Sequence, residues 1–343
     1  LGAFHRAHQA MVFDHLLATG DTRWGIHGIG MTRPDLVNLL RAQDGLYAVR
    51  VADGTGVKWQ VPGALWRMNV AATERETVVQ AIAAPATRWV TLTVTEKGYT
   101  PALGQLMLDG LRQRQQSGLP GITVASCDNL QGNGHKLLAL VKAAATPQDA
   151  DLLRWMDAHC AFPCSMVDRI VPATTDSDRE SIAAILGGVD QAAVVTEPFT
   201  QWVIEDHFVG KRPGWEIGGA QFTIDVAPFE TAKLRMLNGA HSALAYIGPQ
   251  RGHAFVHQAI ADPYIMALAN TLMRDEAANS LQTAAGQNLA SYADALIARF
   301  ANPALKHRTW QIAMDGSQKL PQRLLGTIRA RLAAGQSYAR LAL

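Results

Sequence analysis

The sequence predicts an α/β fold, with a doubly wound parallel-sheet domain over residues 1–227 and a mainly α-helical domain over 228–343. Three observations predict it. Apolar, β-branched runs alternate with helix-spaced segments through the first two thirds, the pattern of a buried parallel sheet wrapped by helices. From about Pro228 onward strand signals fade and helical spacing takes over. The 343 residues, 48% hydrophobic and 17% charged, suffice to bury two cores.

In chain order, "LGAFHRAHQ" has the form of a glycine turn running into a helix, which presents backbone N–H groups to a phosphate. "RWGIHGIGM" (23–31), "RWVTLTVTEKGY" (88–99) and "GITVASCDN" (121–129) predict buried strands. "RPDLVNLLRAQ" (33–43) and "TERETVVQAIAAP" (73–85) have helix spacing, the second opening on a Thr73…Glu76 capping box. Residues 45–68 predict a hairpin-like excursion with glycine turns. The chain starts at Leu1 without a signal-like head and stops in "QSYARLAL" without a helix stop, so both ends read as truncated.

Charge and cysteine usage remove several function classes. The formal net charge is +2 and no Lys/Arg block is long enough for a nucleic-acid face. No apolar run reaches transmembrane length. Cys127, Cys160 and Cys164 cannot all pair with one another, which suits a reducing cytosol, and a cytoplasmic protein is expected. Cys160 and Cys164 lack a second pair, and His5 and His8, at i and i+3, lack a third ligand, so no metal is expected. Oligomeric state leaves no readable mark.

Two polar clusters follow strands, where ligands of doubly wound sheets bind: "TEKGY" and "SCDNLQGNG". Asp128, Asn129 and Asn133 read either as ligand contacts or as caps of the next helix. A third cluster interrupts the apolar helix "KLRMLNGAHSALAYIG" (233–248). At about 100° per residue, with Lys233 at zero, Glu230 falls near ~60°, His241 near ~80° and Asn238 near ~140°. Leu234 shares that arc, so hydrocarbon walls the polar patch. Burial lowers a lysine pKa from about 10.4 towards neutrality, which suits proton exchange near pH 7. An amide can donate to an oxygen that becomes negative, and an imidazole can orient a hydroxyl. The alternative is a snorkelling lysine, a helix-bending asparagine and a satisfied core histidine.

Lys233, four residues, Asn238, two residues, His241 resembles the signature of the mannitol dehydrogenase family, the polyol-specific long-chain dehydrogenases. "GAFHRAHQ", "TVTEKGY", "SCDNLQGNGH", "MVDRIVPA", "EPFTQWVIEDHF" and "MDGSQKLPQR" resemble family blocks in family order. "QIAMDGSQKLPQR" (311–323) is similar to the fructuronate reductase branch. The resemblance implies a Rossmann-type domain, a helical substrate domain, and a metal-independent, NAD-linked oxidoreductase interconverting D-fructuronate and D-mannonate. It implies Lys233 as general acid and base, Asn129 and Asn238 as amides on the reacting oxygen, and His241 as the substrate-orienting imidazole. Glu230 and Asp168 match carboxylates of the proton path, and Lys319 matches a substrate contact. Gly2, Ala3 and Phe4 fall in the pyrophosphate turn, and Glu96 lies in the block beside the nicotinamide.

Three features shade this expectation. Gln311 stands where family members acting on neutral polyols tend to carry arginine, which leaves Lys319, Arg323 and Arg308 as candidates for a substrate carboxylate. Residues 104–120 are shorter than the family pattern. Asp35 selects a ribose hydroxyl and hence NAD, whereas Arg33, two residues away, could serve the 2′-phosphate of NADP. A mannitol 2-dehydrogenase, or an arabinitol or tagaturonate enzyme of the same family, is the alternative substrate reading.

Overall fold

The computed structural model describes residues 1–342. Two compact units emerge, Leu1–Val51 with Val57–Val226, and Ala52–Gly56 with the residues from Ala227 onward.

The first unit holds ten strands: β1 (Ile26–Gly30), β2 (Val49–Ala52), β3 (Val57–Gln60), β4 (Leu65–Val70), β5 (Trp89–Leu92), β6 (Thr123–Ser126), β7 (Ser165–Asp168), β8 (Val194–Thr196), β9 (Gln201–Glu205) and β10 (Ala220–Thr223). β1 pairs with β4, β5 with β6, and β2 with β8, all parallel. β9 lies between a parallel β10 and an antiparallel β7. Parallel neighbours need crossovers, and helix Pro101–Gln116 supplies the one between β5 and β6. The fold is Rossmann-type. β3 lies beside β2, as a hairpin-like excursion over 45–68 would have it, but β2 also pairs with β8 and β4 with β1, so most of that stretch belongs to the parallel ladders. The strands are shorter than the apolar runs: of 23–31 only Ile26–Gly30 enters a ladder, and of 88–99 only Trp89–Leu92.

One expectation is corrected here. The Thr73…Glu76 box does not form; Glu74 occupies the cap position of helix Arg75–Ala83. Its carboxylate accepts from the Val70 N–H at 2.6 Å and from Arg41 at 2.9 Å. Within residues 104–120 the chain runs on in one helix, Pro101–Gln116, capped by the Thr100 hydroxyl. Gly110 lets that helix press against Arg75–Ala83: a Cβ there would lie 2.6 Å from Ile82 Cγ2. The core between them gathers Val78, Val79, Ile82, Leu103, Met107 and Leu111.

The second unit is helical around a core that includes Met236, Leu237, Leu244, Leu272, Met273, Leu296 and Phe300. Three of its segments are π-helical: Lys233–Asn238, Leu272–Ala277 and Pro321–Leu325. The first packs against both of the others. Asn302 Nδ2 donates to Ala52 O at 3.0 Å, which holds the hairpin tip to this unit. Among the described residues no helix is long and apolar enough to cross a membrane.

Candidate active site

In the first unit, the carboxyl ends of the parallel strands carry the expected polar residues. Gly2 precedes helix Ala3–Ala7, which has no side-chain cap, and the space where a Gly2 Cβ would point is open. The first-turn N–H groups around Ala3 and Phe4 are thus available to an anion. Phe4 stacks on His8 at 4.8 Å, and His8 Nε2 bonds Gln201 O at 2.9 Å. Asp35 opens helix Asp35–Ala42 after β1, and both Asp35 and Arg33 are exposed. Glu96 is exposed in the turn Glu96–Gly98 after β5.

The loop after β6 is braced more tightly than a capping reading allows. Tyr99 Oη and Ser126 Oγ each donate to Asp128 Oδ2 at 2.6 Å, and Leu130 N donates to Asp128 Oδ1 at 2.9 Å. Asn133 does not cap helix Asn133–Ala143, whose cap position is the left-handed Gly132. Its amide instead clamps β7, donating to Ser165 O at 2.8 Å and accepting from Ser165 N at 3.0 Å. Asn129 sits exposed at the rim of this rigid turn. Burial, reinforced by Asp128, pushes the Tyr99 phenol up, and burial pushes the Cys127 thiol up to about 12. That thiol is a neutral packing group. Asp168 ends β7 and is buried, opposite Gln201 of β9.

In the second unit, residues 227–250 form one rod: helix Ala227–Ala232, the π segment Lys233–Asn238 and helix Gly239–Gln250. The angular reading at 100° per residue therefore needs correction. A π-helix closes i→i+5 bonds and turns less per residue. Lys233 and Asn238, at its two ends, lie nearer one face than the ~140° of an α-helix. Single π turns within α-helices recur at functional sites. Glu230, Lys233, Asn238 and His241 are all half-buried.

His241 stacks on Phe300 at 5.4 Å and meets His307 edge-on at 4.9 Å. Its Nε2 is shielded from solvent with no hydrogen-bond partner among the described residues. Burial, together with the positive groups His307, Arg323, Arg299 and Lys319, holds this imidazole well below the usual histidine range. It is neutral at pH 7 and can accept a hydroxyl proton. The 311–323 block is ordered around it. Tyr246 Oη donates to Ala313 O at 2.8 Å, and Arg323 Nη1 to Ser242 Oγ at 3.2 Å. Ser242 Oγ in turn donates to Asn238 O at 3.0 Å. Lys319 Nζ donates to Met314 O at 2.6 Å, and Gln311 is exposed on helix Thr309–Ala313.

Sequence reading missed His307, Phe300, Ser242, Tyr246 and the Tyr99–Ser126–Asp128 bracing. Ser242, Tyr246 and the bracing residues lay inside quoted motifs without being singled out for these contacts, whereas Phe300 and His307 join the site through tertiary packing. Among the described residues no three His, Cys, Asp or Glu side chains gather as a metal-binding group. Cys164 Sγ instead meets His135 Nδ1 at 3.8 Å.

Comparison with known proteins agrees with this organisation. The family model "Mannitol dehydrogenase Rossmann domain" matches residues 1–217, and "Mannitol dehydrogenase C-terminal domain" matches 225–343. D-mannonate oxidoreductase of Escherichia coli (strain K12) is 43% identical over all of this chain and 76% of its own length. A Pseudomonas fluorescens mannitol 2-dehydrogenase, solved as a ternary complex with NAD and D-mannitol, superposes with a TM-score of 0.88 at 35% identity, covering 100% of this chain and 75% of that one. A substrate-free D-sorbitol dehydrogenase gives 0.92 at 30% identity, covering 100% and 77%. Two matched domains in order, and relatives at this identity along the whole chain, place it: the chain belongs to the mannitol dehydrogenase family of oxidoreductases.

Proposed function

We propose that this enzyme interconverts D-fructuronate and D-mannonate with NAD, using Lys233 as general acid and base. The observation that carries the reading is the half-buried π segment with Lys233 at one end and Asn238 at the other, followed by a neutral His241. The 43% identity to a D-mannonate oxidoreductase supports the substrate. The uncapped helix after Gly2, with open space before it, fits a pyrophosphate held by Gly2, Ala3 and Phe4. Asp35 would take a ribose hydroxyl and Glu96 the nicotinamide side.

The nicotinamide cofactor, when bound, would supply hydride as NADH for reduction of the carbonyl carbon and accept it as NAD+ in oxidation. The Lys233 ammonium gives its proton to the new alkoxide, and the amine takes it back in the reverse direction. Asn238 donates an N–H bond to that oxygen as its charge develops, the role that the family resemblance also gives Asn129. Loss of one such donor costs about 10²–10³ in rate. His241 orients a neighbouring hydroxyl, Glu230 passes protons to and from Lys233, the family resemblance gives Asp168 a like role in the proton path, and Lys319 and Gln311 contact the substrate's far end. The proton is moved by an amine, and a chelator is expected to leave turnover unchanged.

Lys233→Ala tests the mechanism: kcat falls about 10²–10⁴-fold, and turnover at the unmodified rate overturns it. The likeness to a mannitol 2-dehydrogenase bound to D-mannitol favours a second reading, a neutral-polyol enzyme. Rates with NADH on fructuronate, tagaturonate and fructose decide between them, and a preference for fructose removes the first.

A further inference from the structure

Arg323 is a half-buried residue of the π segment Pro321–Leu325. Its backbone and its side chain both touch the turn that carries His241. A Cβ on Gly239 would lie 3.3 Å from Arg323 O, and Arg323 Nη1 reaches Ser242 Oγ at 3.2 Å. His241 falls between these two contacts in the chain, and it feels the Arg323 charge.

That guanidinium is poorly compensated. Arg251 and Arg274 of the same unit pair with Asp262 at 2.7 Å and Asp294 at 2.5 Å. Among the described residues no carboxylate pairs with Arg323, and burial disfavours its charge. A desolvated cation without a counter-charge is costly unless something anionic arrives. The other two carboxylate candidates differ. Lys319 is held by Met314 O at 2.6 Å and lies 3.7 Å from Asp315, while Arg308 is exposed over the Phe255 ring at 5.3 Å. A guanidinium fork also matches a carboxylate in two parallel hydrogen bonds, which an ammonium cannot do.

We propose that Arg323 binds the carboxylate of a sugar-acid substrate and thereby sets the preference for acids over neutral sugars. This rests on the sugar-acid reading above and deepens it. The test compares D-fructuronate with its methyl ester, which differs at the carboxylate alone, as substrates of the unmodified enzyme, Arg323→Gln and Arg323→Lys. The acid-to-ester ratio of kcat/KM is expected to fall about 10- to 100-fold in Arg323→Gln, chiefly through KM. Arg323→Lys, which keeps the charge and loses the fork, is expected to fall between and serves alone if the glutamine variant does not fold. A ratio moved by less than about threefold in the variants that fold overturns the assignment. Equal turnover of acid and ester by the unmodified enzyme sinks this inference and leaves the reaction standing. Turnover of neither sinks the sugar-acid reading and this inference together.

Discussion

His241 stacks on Phe300 with ring centroids 5.4 Å apart and planes 29° from parallel. The contact fixes the imidazole plane while the surrounding burial keeps the ring uncharged. A neutral imidazole in the folded state makes stability depend on pH in a defined direction.

The folded pKa of His241 lies below its ordinary 6.5, so the unfolded chain binds more protons as pH drops through that value. Stability is full above 6.5 and is lost on acidification towards the depressed folded value. His5, His27, His257 and His307 are all lowered, with burial as the leading cause, and act with the same sign. Thermal melts from about pH 7.5 to about pH 5.5 are expected to show Tm falling, the deeply buried His5 and His241 each contributing up to about 1.4 kcal/mol per pH unit and the more exposed histidines less. His241→Phe, which keeps the stack and cannot titrate, is expected to flatten the curve. An unchanged slope would place the proton uptake elsewhere.

Tyr99, Ser126 and Asp128 make the second prediction, because two hydroxyls converge on Asp128 Oδ2 at 2.6 Å each. Tyr99→Phe removes one donor from a buried carboxylate and is expected to cost about 1–3 kcal/mol in denaturant unfolding. Asn129 is the next residue, so kcat should fall about tenfold as its amide loses its fixed position. Pairing Tyr99→Phe with Asp128→Asn in a double-mutant cycle should return a coupling of about 0.5–3 kcal/mol. Additive losses would show that the phenol braces something other than this turn.

Much of this was legible in the sequence, and the failures share a cause. Alternation of apolar runs and helix spacing needs only local sequence, so the Rossmann-type and helical parts emerged in the right order. The strand ends did not, since a ladder stops where the partner stops: Thr93 and Val94 continue the apolar run beyond β5 without a place in it. Thr73 and Glu76 had the spacing of a capping box, but Glu74 was drawn to Arg41 and to the Val70 N–H, and neither is visible in a four-residue window. The lysine helix was placed correctly and wound wrongly, because an i→i+5 segment has no compositional mark. Phe300 and His307 lie about sixty residues from His241 in sequence, and only packing brings their rings together.

Cofactor choice gives a third prediction. Asp35 and Arg33 are both exposed after β1, one suited to a ribose hydroxyl and the other to a phosphate. A fluorescence titration is expected to show NADH binding at least about tenfold more tightly than NADPH, the scale of one hydrogen bond to a charged group. Asp35→Ser should narrow that ratio by weakening NADH. Tighter binding of NADPH by the unmodified enzyme would transfer the role to Arg33.

Tyr246 ties the helix that carries His241 to the 311–323 block, donating to Ala313 O at 2.8 Å. Gly316 makes room for that hydroxyl, since a Cβ there would lie 2.1 Å from Tyr246 Oη. Gly316→Ala must therefore push the phenol or the block aside. The segment behind it holds Lys319 and Arg323, so the expected result is a KM raised about tenfold, with a smaller change in kcat. Tyr246→Phe loses one hydrogen bond, about 0.5–1.5 kcal/mol, and keeps the space. Combining the two removes the obstructing oxygen, so the double variant should recover most of the KM lost in Gly316→Ala alone. Failure of that rescue would mean that the glycine is needed for its own backbone, beside the left-handed Asp315, and not for the phenol.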